Sequence, residues 1–332
     1  MNLLRKSLFS FSLLYDVVTR VRNAAFDNQW LSQSQFDVPT IVIGNLVTGG
    51  SGKTPMIAYL LDHFSDRFSL AVLSRGYKRK SSGFMISDAI SSVDSLGDEP
   101  FLLLQKFPNV QIAVCKNRPE GIRGLLQNSP QLDAIVLDDG FQHRQLKPSY
   151  QILLTPYDKP WFRDCVLPAG NLRESARGKK RADLVVVTKC PESLSKKERD
   201  YYTSKLALNS HQKLFFTSIQ YDANVYGASR MKLKSFVQNP FVLVTGIANS
   251  KPLTNHLDQL GANYKHLEFG DHHSFSALDC QNILSSGLPV LTTEKDYVRL
   301  NPHIKDVHYL SISVRFLDDE DQFKDIIMHQ IR

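Results

Sequence analysis

Short runs of β-branched and aliphatic residues alternate along the chain with longer stretches whose apolar positions recur every three or four residues. Residues 40–43, Thr-Ile-Val-Ile, predict a buried strand; a glycine-rich turn follows at once, and 55–64 then reads as a helix. Further strands are expected at 69–73, 111–115, 134–137, 151–154 and 183–188, with helices between several of them, notably 99–106 and 119–127. Strands this uniformly apolar, alternating with helices, predict an α/β fold: a mainly parallel sheet covered by helices on both faces.

The rhythm changes near residue 213. Segments 214–221 and 225–228, separated by Asp222-Ala223-Asn224, read as a β-hairpin. Alternation then resumes with a strand at 241–244, the Thr245-Gly246 turn, a helix at 252–260, strands at 290–292 and 307–312, and a terminal helix at 321–331. A chain of 332 residues is long for one compact domain. The expected division is therefore an amino-terminal helix (1–22), a main α/β domain (23–212), a hairpin linker (213–234) and a smaller α/β domain (235–332).

In the first segment Leu4, Leu8, Phe11, Tyr15 and Val18 fall on one helical stripe, while Arg5, Lys6, Asp16 and Arg20 project elsewhere. Its longest charge-free stretch, 7–15, is far short of the roughly 20 residues that span a bilayer. Three readings stand: a helix lying in a membrane interface, a helix packed on the protein's own core, and a cleaved signal whose processing region is interrupted by Asp16, Arg20 and Arg22.

Composition narrows the function classes. An apolar share of 42% with 22% charged residues excludes disorder as the main state. The net charge of +7 calls for an anionic partner. Zinc-finger spacing, an RNA-binding aromatic signature and long Lys/Arg runs are all missing, which argues against nucleic acid. Cys115, Cys165, Cys190 and Cys280 form no C-x-x-C pair, so neither a zinc site nor a disulfide framework is expected.

The chemistry is concentrated after the first strand. Thr48, Gly49, Gly50, Ser51, Gly52, Lys53 and Thr54 lie between a predicted strand and a predicted helix, which is the setting of a phosphate-binding loop and makes the expected α/β fold P-loop NTPase-like. Glycines let backbone N–H groups close on phosphate oxygens, the helix start adds a partial positive charge, Lys53 reaches the β- and γ-phosphates, and the Thr54 hydroxyl can ligate Mg²⁺. The strict pattern wants glycine where Val47 stands. A second apolar strand ends in Asp138-Asp139, placing a carboxylate beside the loop to hold Mg²⁺; spacing does not choose between the two. Phosphoryl transfer also needs a group to orient or deprotonate the attacking hydroxyl. Asp98 is a candidate base and equally a helix N-cap; His272 by itself reads as a loop histidine.

Several segments together resemble one family. Gly44-Asn45-Leu46 through Pro55, Ser74-Arg75-Gly76-Tyr77, Gly97-Asp98-Glu99-Pro100 and Leu137 through Arg144 (Leu-Asp-Asp-Gly-Phe-Gln-His-Arg) match in order. So do Leu167-Pro168-Ala169-Gly170, Leu172-Arg173-Glu174, Arg181-Ala182-Asp183, Thr245 through Asn249, Phe269-Gly270-Asp271-His272 and Thr293-Glu294-Lys295-Asp296. The chain resembles the tetraacyldisaccharide 4′-kinases of the lipid A pathway over nearly its whole length, and that family also has a non-glycine residue where Val47 stands. The resemblance implies transfer of the ATP γ-phosphate to the 4′-hydroxyl of an acylated disaccharide 1-phosphate, giving lipid IVA, with ATP and Mg²⁺ as cofactors. It implies work at the cytoplasmic face of the inner membrane. It further implies Asp98 as base, His272 as the group that orients it or shares its charge, and Glu174 as a further active-site carboxylate near the metal.

Two other readings remain. One is a P-loop kinase of a soluble sugar or metabolite, indifferent to acyl chains. The other is a membrane-bound nucleotide switch: Thr188-Lys189 is similar to the start of a guanine-recognition motif, although Cys190-Pro191 follows where an Asp is needed.

Overall fold

The computed structural model describes residues 8–227 and 229–332. Its strands are β1 (Thr40–Asn45), β2 (Leu70–Ser74), β3 (Met85–Ile86), β4 (Gln111–Val114), β5 (Ala134–Asp138), β6 (Tyr150–Pro156), β7 (Leu184–Thr188), β8 (Lys213–Gly227), β9 (Met231–Lys232), β10 (Phe241–Thr245), β11 (Tyr264–Glu268), β12 (Val290–Thr293) and β13 (Val307–Phe316). Among the described residues they form one sheet path in the order β11-β10-β12-β13-β8-β7-β6-β1-β5-β2-β4-β3, with β9 beside β8.

The first half is a parallel sheet. β1 runs between β5 and β6, and every residue of β1, β2, β5 and β7 is buried. Alternate side chains of β1 feed two cores, Ile41 and Ile43 on one face and Val42 on the other, which is why these strands lack a polar side. The helices here are α1 (Phe9–Asp27), α2 (Lys53–Phe64), α3 (Val93–Leu96), α4 (Asp98–Lys106), α5 (Arg118–Asn128) and α6 (Lys196–Leu206). From β1 the chain passes to β2 on the far side of β5, and later returns to add β6 on the opposite side of β1. That reversal of strand order opens a crevice at the carboxyl ends of the strands, where open α/β sheets take their ligands. The second half carries α7 (Leu233–Phe236), α8 (Lys251–Gln259), α9 (Ala277–Leu284) and α10 (Glu294–Leu300), and the chain ends in α11 (Glu320–Ile331).

Three expectations need correction. The hairpin with its turn at 222–224 is instead one strand, β8, which pairs parallel with β7 at its start and antiparallel with β13 beyond. Asp222 does bend the chain locally: its Oδ1 accepts from the Asn224 N–H at 2.8 Å, and its Oδ2 accepts from Tyr226 Oη at 2.8 Å. The outcome is a bulge opposite Ser311, where the register shifts between Leu310 and Ile312, not a reversal. Reversal comes later, where β8 pairs with β9 through Asn224↔Lys232 and Val225↔Met231.

The boundary 235–332 also fails at its end. Phe323, Ile327 and Ile331 of α11 are buried in the same core as Met56, Ile57 and Leu60 of α2, so the terminal helix closes the first half.

The third correction concerns α1, which runs past residue 22 to Asp27. It buries Ser12, Thr19 and Phe26 and leaves Phe11, Leu14, Val17, Val18 and Val21 more than half exposed. Its polar side is the docking side. Ser12 Oγ accepts from the Ala169 N–H at 2.9 Å, Tyr15 Oη donates to the Arg173 carbonyl at 2.9 Å, and Asn23 Nδ2 donates to Glu174 Oε2 at 2.7 Å. Of the expected stripe, Phe11 and Val18 face outward and Tyr15 docks, while Leu4, with Arg5 and Lys6, lies outside the described residues.

Candidate active site

The loop that joins β1 to α2 is folded as a phosphate cradle. Gly49 has φ +105° and Gly52 φ +88°, a region open to glycine and costly for other residues. Val47 is buried and bridges antiparallel to Leu172, so the position where glycine was expected serves as an anchor. The segment 165–174 braces the loop from outside: Thr48 N–H donates to the Asn171 carbonyl and Arg173 N–H to the Leu46 carbonyl, each at 2.8 Å. Support from the other side comes from the end of β7. Thr188 Oγ1 donates to the Ser51 carbonyl at 2.8 Å, and Lys189 Nζ to the Gly50 carbonyl at 2.6 Å. Thr188-Lys189 therefore shapes the loop directly.

At the tip of β5 two adjacent carboxylates have different surroundings. Asp139 accepts two hydrogen bonds from Arg173 Nη1, at 2.8 and 2.7 Å, and lies 3.5 Å from Lys53 Nζ. Burial would raise its pKa, but Lys53 and Arg173 outweigh that and hold it below the usual carboxylate range. Asp138 is fully enclosed; Ser74 Oγ donates to its Oδ2 at 2.9 Å, while Oδ1 is buried without a partner. Burial, then the nearby charge of Glu99, push the Asp138 carboxyl up to about 6.

A magnesium ion is implied by the fold, and the residues present fit one. An ionisable carboxylate oxygen with no partner at the end of β5, within reach of the Lys53 charge, together with the buried Thr54 at the start of α2, suits an ion that keeps most of its ligands as water and phosphate. Among the described residues no cluster of three or more His, Cys, Asp or Glu forms a closed metal cage. Glu174 does not fit the metal role expected of it. Arg181 holds both of its oxygens, at 2.7 and 3.0 Å, and Asn23 and Gln142 donate to them at 2.7 and 3.1 Å. This carboxylate is 1% exposed and fully partnered, and it ties α1 to the brace of the phosphate loop.

The second half contributes the remaining groups. The N-cap of α4 is Gly97, and Asp98 makes no capping hydrogen bond. Its Oδ2 instead meets His272 Nδ1 at 2.8 Å, with Arg299 Nη1 3.7 Å away. Burial favours the neutral acid, but the His272 hydrogen bond and the charges of Arg299 and Lys295 hold Asp98 ionised below its usual range. His272 is at φ +57°, uncommon for a residue with a side chain, and its ring lies edge-on to Tyr77 with centroids 5.8 Å apart. Arg299 fixes the loop that carries it, donating to the His273 carbonyl at 3.0 Å and the Gly246 carbonyl at 3.2 Å.

The structure thus brings Lys53, Asp138, Asp139, Asp98 and His272 within electrostatic reach of one another around Glu99. Sequence reasoning passed over Glu99, Arg173, Lys295 and Arg299 as site residues. Lys295 Nζ donates to Glu99 Oε1 at 2.6 Å across the two halves. The sequence signal was present, since all four lie inside the family-like segments or beside one, but their partners are distant in the chain.

Comparison with known proteins bears on the whole length. The family model described as LpxK, tetraacyldisaccharide-1-P 4′-kinase, matches residues 4–332. The chain is 44% identical to the tetraacyldisaccharide 4′-kinase of Flavobacterium johnsoniae, covering 100% of this chain and 98% of that one. It is 38% identical to the protein of that name from Bacteroides thetaiotaomicron, covering 99% and 94%. Its fold is similar to the crystal structure of LpxK from Aquifex aeolicus in complex with ATP, with a TM-score of 0.81 and 29% identity over 99% of this chain and 100% of that chain.

Proposed function

The chain belongs to the tetraacyldisaccharide 4′-kinase family, and from that premise we propose how its crevice moves the γ-phosphate of ATP onto the 4′-hydroxyl of a tetraacyldisaccharide 1-phosphate to give lipid IVA. The observation that carries the mechanism is the Asp98–His272 pair, held by two halves of the sheet opposite the Lys53 loop. The amides of residues 48–54 and Lys53 grip the nucleotide's phosphates. Thr54 and Asp138 would hold Mg²⁺, which would offset the negative charge of the phosphates.

Between the members of the dyad, His272 is the better proton acceptor. A carboxylate kept ionised by the His272 hydrogen bond and by the charges of Arg299 and Lys295 is a weak base. An imidazole whose Nδ1 is fixed by that carboxylate presents Nε2 to the hydroxyl with the correct tautomer. The role first expected for Asp98 thereby passes to His272, and Asp98 orients it. Arg173 keeps Asp139 charged beside Lys53.

The docked α1 supports work at the inner-membrane surface. No helix among the described residues is long and apolar enough to cross a membrane. An outward row of Phe11, Leu14, Val18 and Val21 instead suits a helix lying in the headgroup region. The lipid's tails can stay in the bilayer while its sugar reaches the crevice. We divide the molecule for this purpose at β8 and β13, the strands between the halves, and closure about them would exclude water before transfer.

The test offers γ-labelled ATP and purified tetraacyldisaccharide 1-phosphate in detergent micelles. Label is expected on the lipid. His272→Ala should lower kcat by about 10²–10⁴, with Asp98→Asn behind it, while the KM for ATP changes by less than about threefold. Label remaining in ATP or released to water would defeat the kinase reading; an active His272→Ala would return the base to Asp98.

A further inference from the structure

Lys295, the second residue of α10, reaches the crevice without a task in the mechanism above. Its Nζ donates to Glu99 Oε1 at 2.6 Å, and its side chain is 30% exposed. It lies within electrostatic reach of Asp98 and Asp271 on one flank. On the other it neighbours the phosphate loop: the Lys189 ammonium is held below the usual lysine range, chiefly by burial, and the like charges of Lys295 and Lys53 add to that. Glu99 in turn feels both Lys295 and Lys53. Three ammonium groups, from α2, from the end of β7 and from α10, therefore converge on one cleft.

Glu99 and Asp139 already partner two of these charges, and a concentrated anion would relieve the repulsion that remains among the three. A triphosphate is such an anion, and position narrows which part of it Lys295 meets. In the mechanism above the attacking hydroxyl would lie near His272 and Asp98, and the leaving oxygen over Lys53 and the loop amides. Lys295 has the dyad on one flank and Lys53 on the other, which is the interval the phosphoryl group crosses.

We propose that Lys295 is a catalytic cation contributed by the second half, whose ammonium contacts the non-bridging oxygens of the transferring γ-phosphoryl group, with Glu99 as the counter-ion that aims it. The bond from the γ-phosphorus to the β–γ bridging oxygen breaks as the bond to the 4′-oxygen forms. The hydroxyl proton goes to His272, the electron pair leaves with ADP, and Lys295 stays protonated throughout. The proposal rests on the kinase reading and adds that closure delivers positive charge as well as the base.

The experiment uses full-length wild type, Lys295→Met, Lys295→Arg and Lys295→Gln, the last keeping a donor for Glu99 should the methionine variant fold poorly. Turnover is measured with ATP and tetraacyldisaccharide 1-phosphate in micelles. Calorimetry then compares binding of Mg-ADP with that of Mg-ADP plus fluoroaluminate, a mimic of the phosphoryl group in flight, with the lipid present. Lys295→Met and Lys295→Gln should lose roughly 10²–10³ in kcat and the tightening that fluoroaluminate gives the wild type. Affinity for Mg-ADP alone should stay within about threefold, and Lys295→Arg should recover part of both losses. Neutral variants that keep the fluoroaluminate tightening would make Lys295 a latch between the halves and overturn the proposal. Wild type that labels no lipid would instead sink the kinase reading itself, so the two failures are distinguishable.

Discussion

Asp138 and Asp139 end the same strand one peptide apart, yet folding treats their charges in opposite ways. Asp139 has Arg173 and Lys53 as partners; Asp138 has one hydroxyl and a bare oxygen in a fully buried position. Its folded pKa of about 6 exceeds the ordinary carboxyl value. The neutral form is therefore favoured by folding, and the contribution to stability is present at low pH and lost as pH rises through about 6. Asp138→Asn should accordingly raise the stability of the nucleotide-free protein at pH 8 by about 1–2 kcal/mol, and not at pH 4, while abolishing transfer. Thermal melts at the two pH values check this; an equal effect at both would mean that the charge carries no penalty. Lys53 and the Asp138-Asp139 pair could be picked out in the sequence, though spacing did not choose between the two carboxylates, because a glycine loop after one strand and a carboxylate at the end of another are local patterns. Glu99 and Lys295 were not, because each acquires meaning from a partner 196 residues away. Glu174 is the opposite case: a family-like position suggested a metal, and the structure gives both of its oxygens to Arg181, Asn23 and Gln142.

At the scale of an element, α1 shows what periodicity can and cannot say. Spacing locates an apolar stripe but not what it faces, and Tyr15, counted in that stripe, turns inward through its hydroxyl. The helix is fastened by Ser12, Tyr15 and Asn23, so its attachment does not depend on the outward row. Leu14→Glu with Val18→Glu should therefore leave the melting temperature within about 2 °C, since exposed substitutions away from packed features cost within about 0.5 kcal/mol. The same pair should reduce flotation with anionic vesicles by tenfold or more, because each change removes apolar area and adds a charge that the surface repels. Unchanged flotation would place the membrane contact elsewhere on the molecule.

The whole molecule is a sheet that changes character at β8. Its first half could be read almost strand by strand because buried parallel strands are uniformly apolar, as β1, β5 and β7 are. The second half was read less well: β11 has a mixed pattern, α9 and α10 are short, and Asp222-Ala223-Asn224 imitates a turn while forming a bulge. The return of the chain was invisible for another reason. Nothing local says that α11 will leave the second half and pack on α2, yet Phe323, Ile327 and Ile331 share a core with Met56 and Ile57. That placement makes a prediction about cooperativity. Ile327→Ala should cost about 2–5 kcal/mol, as buried aliphatic truncations do, and the loss should fall on the half that binds ATP. Leu257→Ala, in the core of the second half, should cost a similar amount elsewhere. ATP stabilises the half that grips it in proportion to the logarithm of its concentration over Kd. Melts with and without Mg-ATP should then show the Ile327→Ala defect in the nucleotide-protected transition and the Leu257→Ala defect in the other. If both variants shift one common transition equally, the two halves unfold as a unit, and β8 and β13 join them too firmly to serve as a hinge.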